Sequence, residues 1–339
     1  MLHHTTRFKH IRADRVGWLL PFVDFLILCP ILLVMRRKTT SGVQLRFLGD
    51  RRQIEKDIRH GAFFMTNHRD IVMDAAWLTF LLRTRYFIHP YFGIGNNLFG
   101  KWWIEHLVRF LRAFVVIRNG GFRDQVNNAT TLSQYIQHLR QRGKSIWLAQ
   151  REGRAKDSND ITQPGVLKML TIDADNFFEA IKSLNICPVC ISYEYDPCDY
   201  LKAREMQLKR DNPNWRKSRK DDLVSMSIGI KGDKGRVVYR LTPSINHDIE
   251  RALKERPEIL TFSRNEQIQF VCQIIDQHIH SAYEIYERGS EFERYIKSRL
   301  QLIHLSQKDN DFLRDRLYEM YRNPVQNYLA ATQESAQKI

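Results

Sequence analysis

A histidine between a predicted strand and a predicted helix is the first residue whose setting suits catalysis. Residues 62–65 are β-rich, residues 71–82 have helical spacing, and His68 lies in the turn between them. Asp74 follows about one turn inside the helix, where its carboxylate can reach back to the imidazole. A carboxylate on one ring nitrogen prepares the other to take a proton from an alcohol. A histidine that only forms part of a turn and an acid that only belongs to the first turn of a helix would have the same spacing. The spacing alone therefore does not decide between a catalytic pair and this purely structural interpretation.

Two other groupings resemble sites but have less support. Cys187 and Cys190 form a CxxC pair, yet in a strand residues three apart point to opposite faces, and no second pair completes a zinc site. Gly229, Gly232 and Gly235 lack the Gly-Lys-Ser/Thr ending of a phosphate-binding loop, so they favour a turn between strands. We therefore expect neither a metal site nor a cofactor.

The composition favours an anionic partner and a reducing compartment. Lys plus Arg number 53 against 38 Asp plus Glu, which gives a formal net charge of +15. Membrane headgroups, nucleic acid, phosphorylated metabolites and acidic carrier proteins all carry the complementary charge. The five cysteines are too dispersed over 339 residues for a disulfide framework. The 43% of hydrophobic residues can form a substantial core, which excludes global disorder.

One long apolar run covers residues 17–35 and is flanked by basic residues on both sides. Its length is barely enough to span a bilayer, and Pro21, Asp24 and Pro30 interrupt it. A broken helix embedded in one leaflet fits these features, and a helix packed on the globular part is the alternative. We expect residues 1–38 to be a basic and apolar segment that associates with a membrane.

The remaining chain predicts an α/β body followed by helices. Short β-rich runs alternate with longer stretches of helical spacing, which predicts a mixed sheet flanked by helices. The β-rich runs are residues 62–65, 86–89, 113–117, 145–149, 186–192 and 236–241. Residues 39–57 have the character of a polar connection with one short apolar stretch. We expect the catalytic α/β domain to occupy residues 39–249.

Beyond residue 250 the strand signal ends. Ser263 and Glu266 have the spacing of a capping box that begins a helix, and residues 291–305 and 311–331 predict two more helices. Residues 250–339 are therefore expected to form a C-terminal helical extension. With the apolar helix at the N-terminus, this completes the predicted organisation.

Four sequence blocks in a fixed order provide a context for the histidine. NHRDIVMD begins at Asn67, AFVVIRNGG contains Arg118, IWLAQREGRAKD contains Glu152, and ICPVCISYE contains Pro188. These blocks resemble, in order, the four motifs of the glycerol-3-phosphate and lysophosphatidate acyltransferase family. They cover roughly residues 60 to 200, and four ordered blocks are far more specific than any one of them.

The resemblance implies an O-acyltransferase of phospholipid biosynthesis. Such an enzyme moves a fatty acyl group from a thioester to a hydroxyl of glycerol-3-phosphate or a lysophospholipid, with His68 as general base and Asp74 as its orienting partner. The family usually has four residues between the two, whereas this chain has five, so Asp70 is a competing acid. Its position favours a role as the helix cap. The third block lacks the family's proline and threonine, so the acceptor does not follow from the resemblance.

Basic residues of the second and third blocks are the candidates to bind the acceptor's phosphate. Arg118 and Arg154 come first, followed by Lys156 and Arg151, because cationic donors recognise phosphate strongly. Each of them could equally be a solvated surface cation.

Two neighbouring residues complete the predicted binding set. Glu152 is expected to bind an acceptor hydroxyl or to hold an arginine, and Gly153 follows it in the family's Glu-Gly core.

The partners implied are a membrane surface at its cytoplasmic face, acyl-CoA or acyl carrier protein as co-substrate, and a phosphorylated glycerol or lysolipid acceptor, without nucleic acid. One alternative is a basic peripheral module that binds membrane or nucleic acid without catalysis. Another is the same fold acylating a lyso-aminolipid.

Overall fold

A seven-stranded mixed sheet flanked by helices forms the centre of this α/β protein, which confirms the predicted fold class at that level. The computed structural model describes residues 11, 20–59, 61–96, 102–117, 120–302 and 306–337. The strands are β1 (Gly42–Phe47), β2 (Phe63–Thr66), β3 (Tyr91–Gly95), β4 (Ala113–Val116), β5 (Ile146–Ala149), β6 (Ile186–Tyr193) and β7 (Arg236–Leu241).

Helices connect and cover these strands. Those before β6 are α1 (Leu20–Val23), α2 (Cys29–Thr39), α3 (Arg51–Arg59), α4 (Met73–Tyr86), α5 (Trp102–Phe110), α6 (Phe122–Gln141), α7 (Pro164–Leu170) and α8 (Phe177–Leu184). Those after it are α9 (Asp199–Asp211), α10 (Arg219–Lys231), α11 (Asn246–Glu255), α12 (Arg264–Ser281), α13 (Ser290–Leu300) and α14 (Gln307–Gln337).

The strand order places the carboxyl ends of five strands on one edge. The order is β1-β7-β6-β2-β5-β3-β4. β2 is parallel to both of its neighbours, so that Phe63 is aligned with Ile146 on one side and Ile186 on the other. β3 and β4 continue the parallel part, whereas β7 is antiparallel to β6. In parallel sheets the loops beyond the carboxyl ends form ligand sites, and residue 68 follows β2 directly.

The sheet has an apolar core on each face. Phe63 and Met65 of β2 pack into the cluster under α6, α8 and α12, and Phe64 packs into the cluster under α3 and α4. Because both faces of β2 are covered, all four of its residues are buried and apolar alternation is absent. The central strand therefore fixes the position of the turn that follows it.

The N-terminal helices present one face to the body and the other to solvent. A π-helical turn, Asp24–Leu28, joins α1 to α2, directly before Pro30, whose missing N–H explains the irregular ladder. Cys29, Leu32 and Met35 pack on the core that contains α4, whereas Ile31 is about half exposed. Within the described residues, no helix combines the length and the apolar character needed to cross a membrane.

The helices after β7 match the predicted C-terminal pattern. Ser263 and Glu266 form the expected capping box at the start of α12, with the Ser263 amide donating to the Glu266 carboxylate over 2.8 Å. Ile275 and Ile279 of α12 are buried in the same cluster as Cys190 of β6. The chain beyond residue 250 is thus packed on the sheet. The division into three segments stays a prediction.

Two predicted elements are wrong. Residues 86–89 form no strand, because α4 continues to Tyr86 and ends at Phe87, whose φ of 58° is left-handed. Pro90 has no N–H, so pairing begins at Tyr91, which donates to the Ser145 carbonyl over 2.8 Å. The predicted polar connection at 39–57 is wrong, because it contains edge strand β1 and most of α3. Apolar and polar residues alternate along an edge strand, which gives only a weak apolar signal in the sequence.

Gly229 lies where α10 passes behind the turn that contains residues 68–70. It belongs to a helix that ends at Lys231, so the predicted turn between strands is wrong at this residue. A Cβ at Gly229 would lie 1.9 Å from Oδ2 of Asp70. Glycine is therefore required here by a buried carboxylate.

We expect Gly229→Ala to destabilise the protein by about 1–3 kcal/mol, because α10 or Asp70 must shift. Gly165→Ala is the matched control, since Gly165 also lies in a helix and a Cβ there meets open space. That change should be neutral or stabilising by about 0.5–1 kcal/mol. Urea unfolding of the two variants tests this, and equal stabilities would contradict the close contact.

Candidate active site

His68 and Asp74 form a hydrogen-bonded pair at the carboxyl end of β2. Nδ1 of His68 lies 2.9 Å from Oδ2 of Asp74. The Asp74 side chain is fully buried, whereas 14% of the His68 side chain is exposed. Nε2 of His68 has no hydrogen-bond partner among the described residues. The arrangement suits an imidazole that accepts a proton at Nε2 while the carboxylate stabilises the resulting cation.

The turn itself supplies most of the donors that hold Asp74. The amides of Arg69 and Asp70 donate to Oδ2 over 2.6 and 3.0 Å. The Tyr193 hydroxyl donates to Oδ1 over 3.0 Å. Burial raises the pKa of Tyr193, and the charges around it, including that of Asp74, act in the same direction. Tyr193 therefore keeps the proton that it donates.

Asp70, the competing acid, points away from the imidazole and towards the helix start. Its Oδ1 accepts from the amides of Val72 and Met73 over 2.9 and 2.8 Å, which is the capping role expected for it. Burial raises the pKa of Asp70, and the charge of Asp74 raises it further. Of the two acids, only Asp74 has a hydrogen bond to His68.

A second buried carboxylate, Asp160, holds the side chains on either side of His68. Its Oδ2 accepts from Asn67 over 2.9 Å, from the Arg69 guanidinium over 2.6 Å and from the Tyr283 hydroxyl over 2.6 Å. Burial is the largest single effect and lowers the pKa of Arg69, but the charges around it, that of Asp160 first, together raise the pKa above its ordinary value. The turn is thereby connected to Tyr283, which lies just beyond the C-terminal end of α12.

A buried lysine of α9 holds the backbone of the same turn. Nζ of Lys202 donates to the Arg69 carbonyl over 3.0 Å and forms an ion pair with Asp196. Burial opposes the ionisation of Asp196, but the adjacent Lys202 lowers its pKa. Lys202 is only 1% exposed, so its pairing is needed to offset the cost of burying an ammonium group.

His68 lines a cavity of about 1080 Å³ at this edge of the sheet. The edge of the His68 ring faces Trp147, with 6.1 Å between the ring centroids. Apolar side chains from β4, α6, α7 and the residues just after β4 and α7 form one part of the lining, called the apolar wall. They include Val116, Ile117, Leu132, Val166, Met169 and Ile172. Cationic side chains form another part, called the basic wall.

Several of the predicted cationic residues lie on the basic wall. Arg151, Arg154 and Lys156 line the cavity together with Lys217 and Arg219. The structure thus brings three of the four predicted cations to the same cavity as His68.

Arg154 and Lys156 are partly withdrawn from solvent. Arg154 is only 6% exposed, and its Nη1 has no hydrogen-bond partner among the described residues. Lys156 forms an ion pair of 2.7 Å with Glu205. Burial lowers the pKa of Lys156 to about 8, with Arg154 acting in the same direction and Glu205 against it. An anion between these groups would gain charge-assisted hydrogen bonds.

The remaining predicted residues have different outcomes. Glu152 and Gly153 line the cavity, where Gly153 has a left-handed φ of 68° and the Glu152 amide donates to Gln163. Arg118 lies outside the described residues.

Sequence reasoning missed the buried network behind the turn. Asp160, Tyr283, Lys202 and Tyr193 carry no motif of their own, and all four lie far from His68 along the chain. Only Tyr193 lay within a block that the sequence had marked, as the residue before Glu194 in ICPVCISYE. The signal that could have pointed to Tyr193 was its hydroxyl in a mainly apolar strand.

The CxxC pair is split by the sheet. Cys187 belongs to the core on one face of β6 and Cys190 to the core on the other, as the strand geometry predicts. Burial raises the pKa of both thiols, to about 12 for Cys190. Within the described ranges, no group of three or more His, Cys, Asp or Glu side chains could hold a metal ion.

We expect Asp160→Asn to cost about 3–5 kcal/mol of stability, because it leaves the Arg69 guanidinium buried beside a neutral amide. Tyr283→Phe removes one hydrogen bond from the same carboxylate and should cost only about 1 kcal/mol. Urea unfolding at neutral pH measures both. Equal losses in the two variants would show that the buried ion pair is not what holds this turn.

Neither the protein-family models nor the curated proteins that were compared with this chain gave a match.

Proposed function

We propose that this protein is an O-acyltransferase that moves an acyl group from a thioester to a hydroxyl of a phosphorylated glycerol or lysophospholipid. The observation that carries the proposal is the pairing of His68 with buried Asp74 in a cavity whose lining contains both apolar and cationic side chains. The resemblance of four ordered blocks to the glycerolipid acyltransferases supports the same assignment.

In the proposed reaction His68 acts as the general base. Nε2 takes the proton of the acceptor hydroxyl as its oxygen attacks the thioester carbonyl carbon. Asp74, held by the turn amides and Tyr193, stabilises the imidazolium that forms. The carbon–sulfur bond then breaks, and the imidazolium returns the proton to the departing thiolate. No covalent acyl-enzyme is needed.

The two walls suit the two ends of the substrates. The apolar wall offers a surface for a fatty acyl chain, whose burial stabilises binding by about 0.8 kcal/mol per methylene. Arg154 and Lys156 supply cations for the phosphate of the acceptor, with Arg151 beside them. Acyl-CoA or acyl carrier protein supplies the thioester, and the reaction takes place at the cytoplasmic face of a membrane.

His68→Ala is expected to abolish thioester-dependent acyl transfer, and Asp74→Asn to lower kcat by about 10⁴, because the imidazole loses its orienting charge. Purified protein is incubated with acyl-CoA or acyl carrier protein thioesters and glycerol-3-phosphate or lysolipids. The acylated products are identified by mass spectrometry.

His247→Ala is the matched control, because His247 also lies beside a carboxylate, that of Asp57, but is not part of the cavity wall. This variant should keep the activity of the unaltered protein. Full activity in His68→Ala would overturn the proposed mechanism. A chain that acylates none of these acceptors, with His68 intact, would overturn the proposed reaction.

The low pKa of Lys156 makes acceptor binding depend on pH. Above about pH 8 the ammonium loses its proton, so KM for a phosphorylated acceptor should rise by about tenfold while kcat changes little. Lys156→Arg keeps its charge over this range and should remove the rise. An acceptor without phosphate is the control, and an equal rise in its KM would show that Lys156 does not bind the phosphate.

A further inference from the structure

The exposed apolar residues of the N-terminal helices lie beside a second helix. In α2, Ile31 and Val34 are exposed by 50% and 51%, although the opposite side of the helix packs on the core. α2 also packs against α10, and Ile230 of α10 joins the same core cluster as Leu32. A helix face that is apolar and uncovered next to a packed helix is the kind of surface that inserts into a lipid interface.

One face of α10 runs from α2 to the cavity. Leu223 and Ile230 are seven residues apart, so they lie on the same face, and Arg219 lies one turn before Leu223. Leu223 is 59% exposed, whereas Ile230 is packed beside α2. Arg219 is exposed and also lines the cavity, so it lies at the opening. The face therefore connects the α2 surface with the cavity opening.

The charges beside this surface favour anionic lipid. Arg36, Arg37 and Lys38 are exposed in the last turn of α2. Arg219 and Lys220 are exposed at the start of α10. Of the acids nearby, Asp222 pairs with Lys217 over 2.6 Å, whereas Asp221 keeps its charge in the capping box with Ser218. Because Arg219 and Lys220 outnumber Asp221, the net charge at both ends of the apolar face is positive.

We infer that α10 is a second membrane-contact helix, with Leu223 inserted beside the exposed face of α2, and that this contact brings the opening of the cavity to an anionic lipid surface. An acyl acceptor or donor held in the membrane then reaches His68 without passing through water. The inference rests on the proposed membrane location of the enzyme. It adds which surface of the protein contacts the membrane and how the cavity opening is then oriented.

Vesicle sedimentation of the full-length protein tests the surface. Vesicles of phosphatidylcholine with phosphatidylglycerol are compared with vesicles of phosphatidylcholine alone. The unaltered protein should bind the anionic vesicles more tightly, and added salt should weaken that binding. Leu223→Asp and Ile31→Asp should each weaken binding by about tenfold or more, because a charge then enters the interface.

Leu260→Asp is the matched control. Leu260 is 55% exposed, but its neighbour Ile259 belongs to the core on the opposite face of the sheet. Its binding should equal that of the unaltered protein, and circular dichroism melting should give similar Tm values for all three variants.

A second pair of variants measures directly whether the side chain at position 223 inserts into the membrane. Leu223→Trp should be quenched by brominated phosphatidylcholine in anionic vesicles to a greater extent than Leu260→Trp. Equal quenching, unchanged binding of Leu223→Asp, or failure of the unaltered protein to bind anionic vesicles would each overturn the inference. Because sedimentation requires no turnover, these results are independent of whether the acyl-transfer proposal holds.

Discussion

The buried carboxylate of Asp74 accepts four hydrogen bonds, and the conformation of the turn that carries His68 depends on them. Two of the donors are backbone amides of the turn, so the chain must curl around the carboxylate before the imidazole can reach it. An ionised carboxylate without these donors would be too costly to bury. The same contacts that satisfy Asp74 therefore fix the direction in which His68 faces the cavity.

Further buried charges make the turn a rigid part of the tertiary structure. Asp160 neutralises Arg69, and Lys202 pairs with Asp196 while it holds a turn carbonyl. Because an unpaired buried charge is strongly unfavourable, α9 must dock in one position for Lys202 to form its pair. Tyr283, just beyond α12, adds a hydrogen bond to Asp160. These two residues thus help to build the candidate site, although neither had been predicted to act in it.

The cavity combines the two environments that the proposed acyl transfer needs together. Its apolar wall consists of side chains from β4, α6, α7 and the residues just after β4 and α7, and its basic wall of side chains from the loop after β5 and from the start of α10. His68 lies where the carboxyl end of β2 meets both. α10 contributes Gly229 behind the turn and Arg219 at the opening, so one helix connects the turn that carries His68 with the surface proposed to meet lipid.

The sequence by itself determined the α/β class and the position of the candidate histidine, because buried central strands such as β2 and β6 carry strong apolar signals and His68 lies just after β2. It missed edge strand β1 and predicted a strand at the end of α4. In both places strand pairing and tertiary packing, and not the local preference of the residues, determine the structure. It also left Asp70 and Asp74 as competing acids. Only the tertiary structure decided which one contacts His68, because the start of α4 at Met73 and the donors from Tyr193 turn Asp74 inward. Asp160, Tyr283 and Lys202 likewise meet the turn only after folding, since hydrogen bonds between distant residues leave no periodic signal in the chain.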